Sequence, residues 1–352
     1  MASWKGRGAV NRPAARFLST DTEIHFEDGI DASAENPLSR YYPEKSKTVI
    51  VHNQSPDVPF DLSLNPFRGC EHGCVYCYAR PSHAYADLSP GIDFETKIFY
   101  KPDAPQTLEK DLARRGYTCS PIAVGGNTDV YQPIERKLKI TRGILEVLRN
   151  HSHPFTVITK SGLILRDLDI LTQMAGKNLV RAFISITTLN ADLASKMEPR
   201  AASPANRLKT LESLARAGVP VGLMIAPVIP GLTEMELERI CEAAANAGAS
   251  TAGMIMLRLP YEVKEIFFAW VRERFPAREN KILEAVRGMR QGKLNDTEFG
   301  TRMKGSGPFA ELITRRFELA KRKHGLNKIL PELDRTKFQP PLPHGQGRLD
   351  FG

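Results

Sequence analysis

The chain has 352 residues, 41% apolar and 25% charged, with 26 Gly and 25 Pro, a balance that excludes collagen-like, mucin-like and wholly disordered classes. Its 49 Lys and Arg against 40 Asp and Glu leave a net charge of +9, which admits a polyanionic partner without requiring one. No apolar run reaches the roughly 18 residues of a membrane span, and the basic N-terminus lacks the apolar core of a secretory signal, so a cytoplasmic protein with no membrane partner is the default expectation.

Residues 1–45 are rich in Ser, Asp, Asn and Pro and read as a flexible arm. KTVIVHN (47–53) and FDLSLN (60–65) are short strand-like runs, the second leading into a cysteine-rich loop. From there strands and helices alternate. Strands are expected at 120–126, 154–162, 179–188, 219–229 and 250–259, and helices at 107–116, 140–150, 166–176, 205–218 and 233–248. The strands are nearly continuous apolar runs, the pattern of a parallel sheet covered by helices. Six such units from residue 60 predict an α/β fold, a partial (β/α)6 barrel over 46–260. Helical spacing then continues through 261–325, read as a layer packed on the barrel, and the Pro/Gly-rich 326–352 as an extended tail.

The strongest chemical signal is GCEHGCVYCYAR, which places Cys70, Cys74 and Cys77 within eight residues just after a strand. Thiolates are soft ligands suited to zinc, copper(I) or iron–sulfur clusters. Three of them on one tight loop can each reach a different iron of a [4Fe–4S] cube and leave the fourth iron open. A structural zinc site completed by His72 or His83 is the alternative, though no second ligand pair follows. Cys119 and Cys241 lie outside the loop and read as ordinary core cysteines.

The spacing C-x3-C-x-Tyr-C, with Tyr76 just before the third cysteine, resembles the radical S-adenosylmethionine (SAM) superfamily. SLNPFRGCEHGCVYCYARPSHAY, with SPGIDFETKIFYK, GGNTDVYQPIE, SITTLNADLASKMEPRAASPANRL and IAPVIPGLTE downstream, is similar to its spore photoproduct lyase-like, DNA repair photolyase-like branch. The resemblance covers about residues 45–325. It implies an enzyme in which the open iron of a [4Fe–4S] cluster binds SAM. One electron from an external reductant of flavodoxin or ferredoxin type then cleaves the sulfonium, and the resulting 5′-deoxyadenosyl radical abstracts hydrogen from a substrate.

The resemblance also distributes roles. Gly125, Gly126 and Asn127 match the segment that binds the SAM amino group, with Asn127 replacing the usual Glu and Asp129 as a source of charge; a plain Gly-rich strand end is the bland alternative. Ser185 and Thr187 match ribose-binding positions, although alternate residues on a strand can equally face a helix. Arg200 suits the SAM carboxylate, with Arg207 as competitor. Ala226, on the segment Ile225-Ala226-Pro227, matches the part that packs on adenine, and Leu257 and Leu259 are placed to cover its other face unless they are core. Tyr131 and Lys160 end the second and third strands, where a substrate would lie.

Residues 271–325 hold 14 Lys and Arg against seven Asp and Glu. That clustering, with the family branch, makes nucleic acid the leading substrate class. A radical SAM enzyme acting on a protein or small molecule, and a non-catalytic iron–sulfur protein, are the alternatives. At the C-terminus, Gln346, Leu349 and Phe351 form a Q-x-x-L-x-F pattern after a Pro-rich approach. It is similar to the peptides that dock on the bacterial DNA sliding clamp, making the clamp a further expected partner.

Overall fold

A computed structural model describes residues 4–17 and 37–341. In chain order the strands are β1 (Arg40–Pro43), β2 (Ile50–His52), β3 (Leu62–Leu64), β4 (Phe67–Arg68), β5 (Lys97–Tyr100), β6 (Ile122–Val124), β7 (Phe155–Thr159), β8 (Val180–Ser185), β9 (Val221–Val228) and β10 (Thr251–Met256). Seven form one sheet in the order β10-β9-β8-β7-β6-β3-β2. Every pairing from β3 through β6, β7, β8 and β9 to β10 is parallel, and β2 joins β3 antiparallel at the edge. Six sequential parallel strands with helices between them are the partial barrel that the apolar runs predict. Its two edges are β2 and β10. The segment 300–303 links them: Met256 N–H donates to the Met303 carbonyl at 2.9 Å, and Gly300 N–H donates to Asp57 in the β2–β3 turn at 2.6 Å.

The strands alternate as the pleat requires. In β9, Val221, Leu223 and Ile225 pack into the sheet–helix core, while Met224 and Ala226, on the other face, are half-buried. The helix Ile140–Asn150 falls on the predicted residues, and Pro204–Arg216 starts at a Ser203 cap whose hydroxyl accepts from Asn206 N–H at 3.3 Å.

Three features depart from the sequence reading. A second sheet, β1-β5-β4, flanks the cysteine loop; its strands of two to four residues carry too little periodicity to be read. The segment read as a flexible arm is, in its described part, packed: Ala9 and Val10 are buried, and Arg7 donates to the Glu95 carbonyl at 3.0 Å. The helical layer divides between two cores. Val263–Arg274 and Glu279–Gly288 pack with Leu257, Leu259 and the cysteine loop, whereas Pro308–Lys323 packs with the barrel's own helices. The described part of the tail is extended and docked. Lys328 N–H bonds to Ser250, Asp334 N–H to Asn178 and Gln339 N–H to His151, all at the N-terminal ends of barrel strands. The Q-x-x-L-x-F pattern lies outside the described residues. Among the described residues no helix is long and apolar enough to cross a membrane.

Candidate active site

The cysteine loop leaves β4 at the C-terminal end of the parallel strands, where barrel enzymes assemble their sites. Gly69 and Gly73 hold it in shape with φ of 83° and 68°, values that L side chains adopt at a cost. A Cβ on Gly73 would lie 2.7 Å from a Glu95 oxygen. Cys70 N–H donates to Phe94 O at 2.9 Å, and Cys77 N–H to Cys74 O at 3.2 Å. Under the loop, the fully buried Arg80 donates to Cys74 O at 2.9 Å and to Gly91 O at 2.9 Å. It also pairs with the equally buried Glu95 carboxylate at 2.5 Å. Glu95 in turn accepts from Gly8 N–H at 2.9 Å and Ala9 N–H at 2.8 Å, so the N-terminal segment closes against the loop.

Cys70 and Cys74 are buried, Cys77 is half-buried, and all three are free thiols. Burial pushes each thiol above its ordinary range, and at Cys70 the charge of Asp129 and of the neighbouring cysteines adds to it. A bound cationic group is what would make thiolates of them. Each histidine that could complete a zinc site has one ring nitrogen engaged, and Nδ1 of His83 is buried without a partner among the described residues. His83 holds Lys97 O at 2.9 Å through Nε2, and His72 Nδ1 sits 3.3 Å from Asp129. No group of three or more His, Cys, Asp or Glu among the described residues is placed to hold a single metal ion. The donor set therefore fits a multi-iron cluster, with soft ligands at separate corners, better than one tetrahedral ion.

Around the loop the structure sorts the sequence candidates. Gly125 adopts a φ of 90°, and a Cβ there would lie 2.9 Å from Ile158 O; the Gly126 carbonyl accepts from the Tyr78 hydroxyl. Asn127 is exposed, its N–H held by the Asn65 side chain at 2.9 Å. Asp129 is committed to internal bonds, from Thr159 Oγ1 at 2.7 Å, Lys160 N–H at 2.8 Å and Tyr131 N–H at 2.9 Å, besides His72. Burial works to raise its pKa, but the His72 charge and these hydrogen bonds win and hold it low. It is a brace between loops, with its oxygens already occupied.

Tyr76, Thr187 and Arg207 converge on Glu198, a buried carboxylate that the sequence reading left without a role. It accepts from the Tyr76 hydroxyl, from Thr187 Oγ1 at 2.8 Å and from the Arg207 guanidinium. Arg207 also donates to Ser185 O at 3.1 Å, tying the end of β8 to this cluster. Arg200 pairs with Glu71 at 3.0 Å, a buried carboxylate that also accepts from Ser39 and Tyr41. Both arginines weighed for the SAM carboxylate thus already have acid partners. Lys160 has none among the described residues: its Nζ lies 5.9 Å from the Tyr76 ring centroid, and its charge reaches Cys74 and Cys77. Leu257 is fully buried in one apolar cluster with Cys74 and Tyr76, whereas Ala226 is half-buried on β9. The Tyr131 hydroxyl donates to Asp167 at 3.1 Å from a buried position. Cys119 lies 3.7 Å from His153 at the opposite end of the barrel, and Cys241 is core in the helix Leu237–Asn246.

Residues 64–244 match the family model described as the Radical SAM superfamily. The chain belongs to the radical SAM superfamily. It is 31% identical over 232 residues to an uncharacterized protein of Mycobacterium tuberculosis, covering 65% of this chain and 68% of that one. It is 27% identical over 173 residues to one of Methanocaldococcus jannaschii, covering 49% and 62%. Among solved structures, this radical SAM enzyme resembles spore photoproduct lyase complexed with dinucleoside spore photoproduct, with a TM-score of 0.58 at 17% identity over 81% of this chain and 79% of that one. A variant of the same lyase with bound AdoMet and dinucleoside spore photoproduct gives a TM-score of 0.53 at 15% identity over 77% and 76%. At those identities the likeness is one of fold.

Buried carboxylates are what the sequence reading missed. Glu71, Glu95 and Glu198 each gather backbone or cationic donors from segments far apart in the chain. The signal within reach was their position, inside or just beside the quoted motifs.

Proposed function

We propose that the protein holds a [4Fe–4S] cluster on Cys70, Cys74 and Cys77, cleaves SAM reductively, and uses the radical on a nucleic-acid substrate. The observation that carries the reading is the loop itself: three free thiols, raised by burial, at the C-terminal end of a six-stranded parallel barrel. With one electron from a flavodoxin- or ferredoxin-type donor, the bound cluster would supply the cleavage of SAM's C–S bond to 5′-deoxyadenosyl. The protein's own part is orientation and exclusion of water. The carbonyls near Gly125 and Gly126 suit an ammonium group and Lys160 suits a carboxylate, a role moved from Arg200 because it is the Lys160 charge that reaches Cys74 and Cys77. Tyr76, Thr187 and Glu198 form a buried strut that sets the loop's distance from β8. Ser185, Ala226 and Leu257 are kept as candidates for the nucleoside part.

Nucleic acid as substrate is supported by the basic 271–325 segment and by the ligand named for the solved lyase. The tail pattern adds a second link, docking on the DNA sliding clamp. Anaerobic reconstitution with iron and sulfide tests the core of the reading. Four irons per chain and conversion of SAM to 5′-deoxyadenosine with dithionite are expected, and a zinc-only protein that leaves SAM intact would overturn it.

A further inference from the structure

Beside the cysteine loop lies a cavity of about 570 Å³ whose lining includes His72, Arg136, Arg200 and Lys209 and no Asp or Glu. Arg136 and Lys209 are exposed and have no carboxylate partner among the described residues. Arg200 gives one guanidinium nitrogen to Glu71 and is still 35% exposed. The acids nearby are occupied by other partners. Asp129 pairs with His72, and Asp167 takes Tyr131, Arg142 and Arg166. Two unpaired cations and a third only partly neutralised attract an anion. The cavity is too large for a bare phosphate, and Pro133, Leu163 and Leu165 give an apolar part to a lining that also carries Ser161, Asn206 and Thr210. A recess of this size suits a small organic ligand, whereas a protein partner needs a broad face of about 800 Å².

We propose that this cavity is a nucleoside-phosphate site, taking phosphate on Arg136, Lys209 and Arg200 and a base against Pro133, Leu163 and Leu165. The first turn of the 13-residue helix Pro204–Arg216, which contributes Asn206 to the lining, adds its positive end to the phosphate side. The ligand has two sources, a free nucleotide or one unit of a nucleic-acid strand. Only the second rests on the substrate reading above. His72 belongs to both the lining and the cysteine loop, and Arg200 N–H donates to His72 O at 3.3 Å, so the cavity borders the loop directly.

The test is calorimetric titration of the purified full chain with inorganic phosphate, adenosine, AMP, dTMP and a short single-stranded oligonucleotide at low and high salt. A mononucleotide should bind at least about tenfold more tightly than phosphate or adenosine alone. Arg136→Ala with Lys209→Ala should weaken it at least about tenfold, while Lys110→Ala with Arg115→Ala, two exposed cations on the helix Ala104–Leu112 and the turn after it, should leave it unchanged. Oligonucleotide binding that falls in the first pair of substitutions identifies a strand as the source; loss confined to mononucleotides identifies free nucleotide. Binding no better than phosphate, or binding indifferent to the first pair, overturns the site. So does binding of an acidic electron-carrier protein in place of nucleotides. Dithionite-driven SAM cleavage on the same preparations keeps the two readings apart, since its failure bears on the enzyme reading alone, and melting curves report whether each variant folds.

Discussion

Arg80 and Glu95 form a fully buried ion pair 2.5 Å apart directly beneath the cysteine loop. Each partner also anchors backbone: Arg80 holds the carbonyls of Cys74, Pro90 and Gly91, and Glu95 holds the amides of Gly8 and Ala9. Removing one partner leaves the other charged and unpaired, which costs about 3–5 kcal/mol. Glu95→Ala is therefore expected to lower the melting temperature sharply and to expose the segment around Gly8 to protease. Unchanged melting and proteolysis would show that the pair does not organise the loop.

The three loop cysteines should behave differently from the other two. Cys70→Ala, Cys74→Ala and Cys77→Ala are each expected to lose iron on reconstitution and to abolish SAM cleavage. Cys119→Ala and Cys241→Ala, distant from the loop, should retain both. Iron content and 5′-deoxyadenosine yield measured on all five variants decide the matter.

Glu198 should matter as a strut. Glu198→Ala strands the buried Arg207 and releases Tyr76 and Thr187, so a loss of about 3–5 kcal/mol is expected. Glu198→Gln, which keeps an acceptor, should cost less and retain more iron. Equal effects of the two variants would argue that the charge alone carries the role.

Two buried histidines predict an acid-side loss of stability. Burial holds His153 and His83 neutral, with pKa values of about 4 each. Unfolded imidazoles bind protons near pH 6.5, so between about 6.5 and 4 the unfolded chain takes up protons that the folded chain refuses. Stability is full above that window and falls through it as pH drops, by up to about 3 kcal/mol for each residue. His153→Gln should make the fall of urea-melt stability between about pH 6.5 and 4 shallower; a parallel profile would refute the assignment.

The clamp proposal has its own assay. A peptide spanning 340–352 should bind the clamp with about micromolar affinity, and Leu349→Ala with Phe351→Ala should abolish this in the full chain without affecting SAM cleavage. The described tail runs along the N-terminal ends of β7, β8 and β10, opposite the cysteine-bearing end.

The barrel was legible because strands buried on both faces leave uninterrupted apolar runs such as VPVGLMIAPVI, and the metal loop because three soft ligands at fixed short spacing have few other uses. What escaped was set by distance. Arg7 reads as a solvated charge in a polar arm until residue 95 supplies the carbonyl it meets. Arg200 reads as a free cation for a carboxylate ligand until Glu71, 129 residues away, is found beside it. Nothing local distinguishes a glutamate that will be buried among distant donors from one that faces water.

The N-terminal segment has an odd place in time. The amides of Gly8 and Ala9 are received by a carboxylate 86 residues downstream of Ala9, and the Arg16 guanidinium finds its partner only at Glu262, 2.6 Å away, and its stacking surface at Tyr261. On the ribosome Arg16 must stay without that partner until residue 262 has been made. The flank of the cysteine loop that this segment covers is therefore not fully closed until the chain has been made well beyond the loop itself.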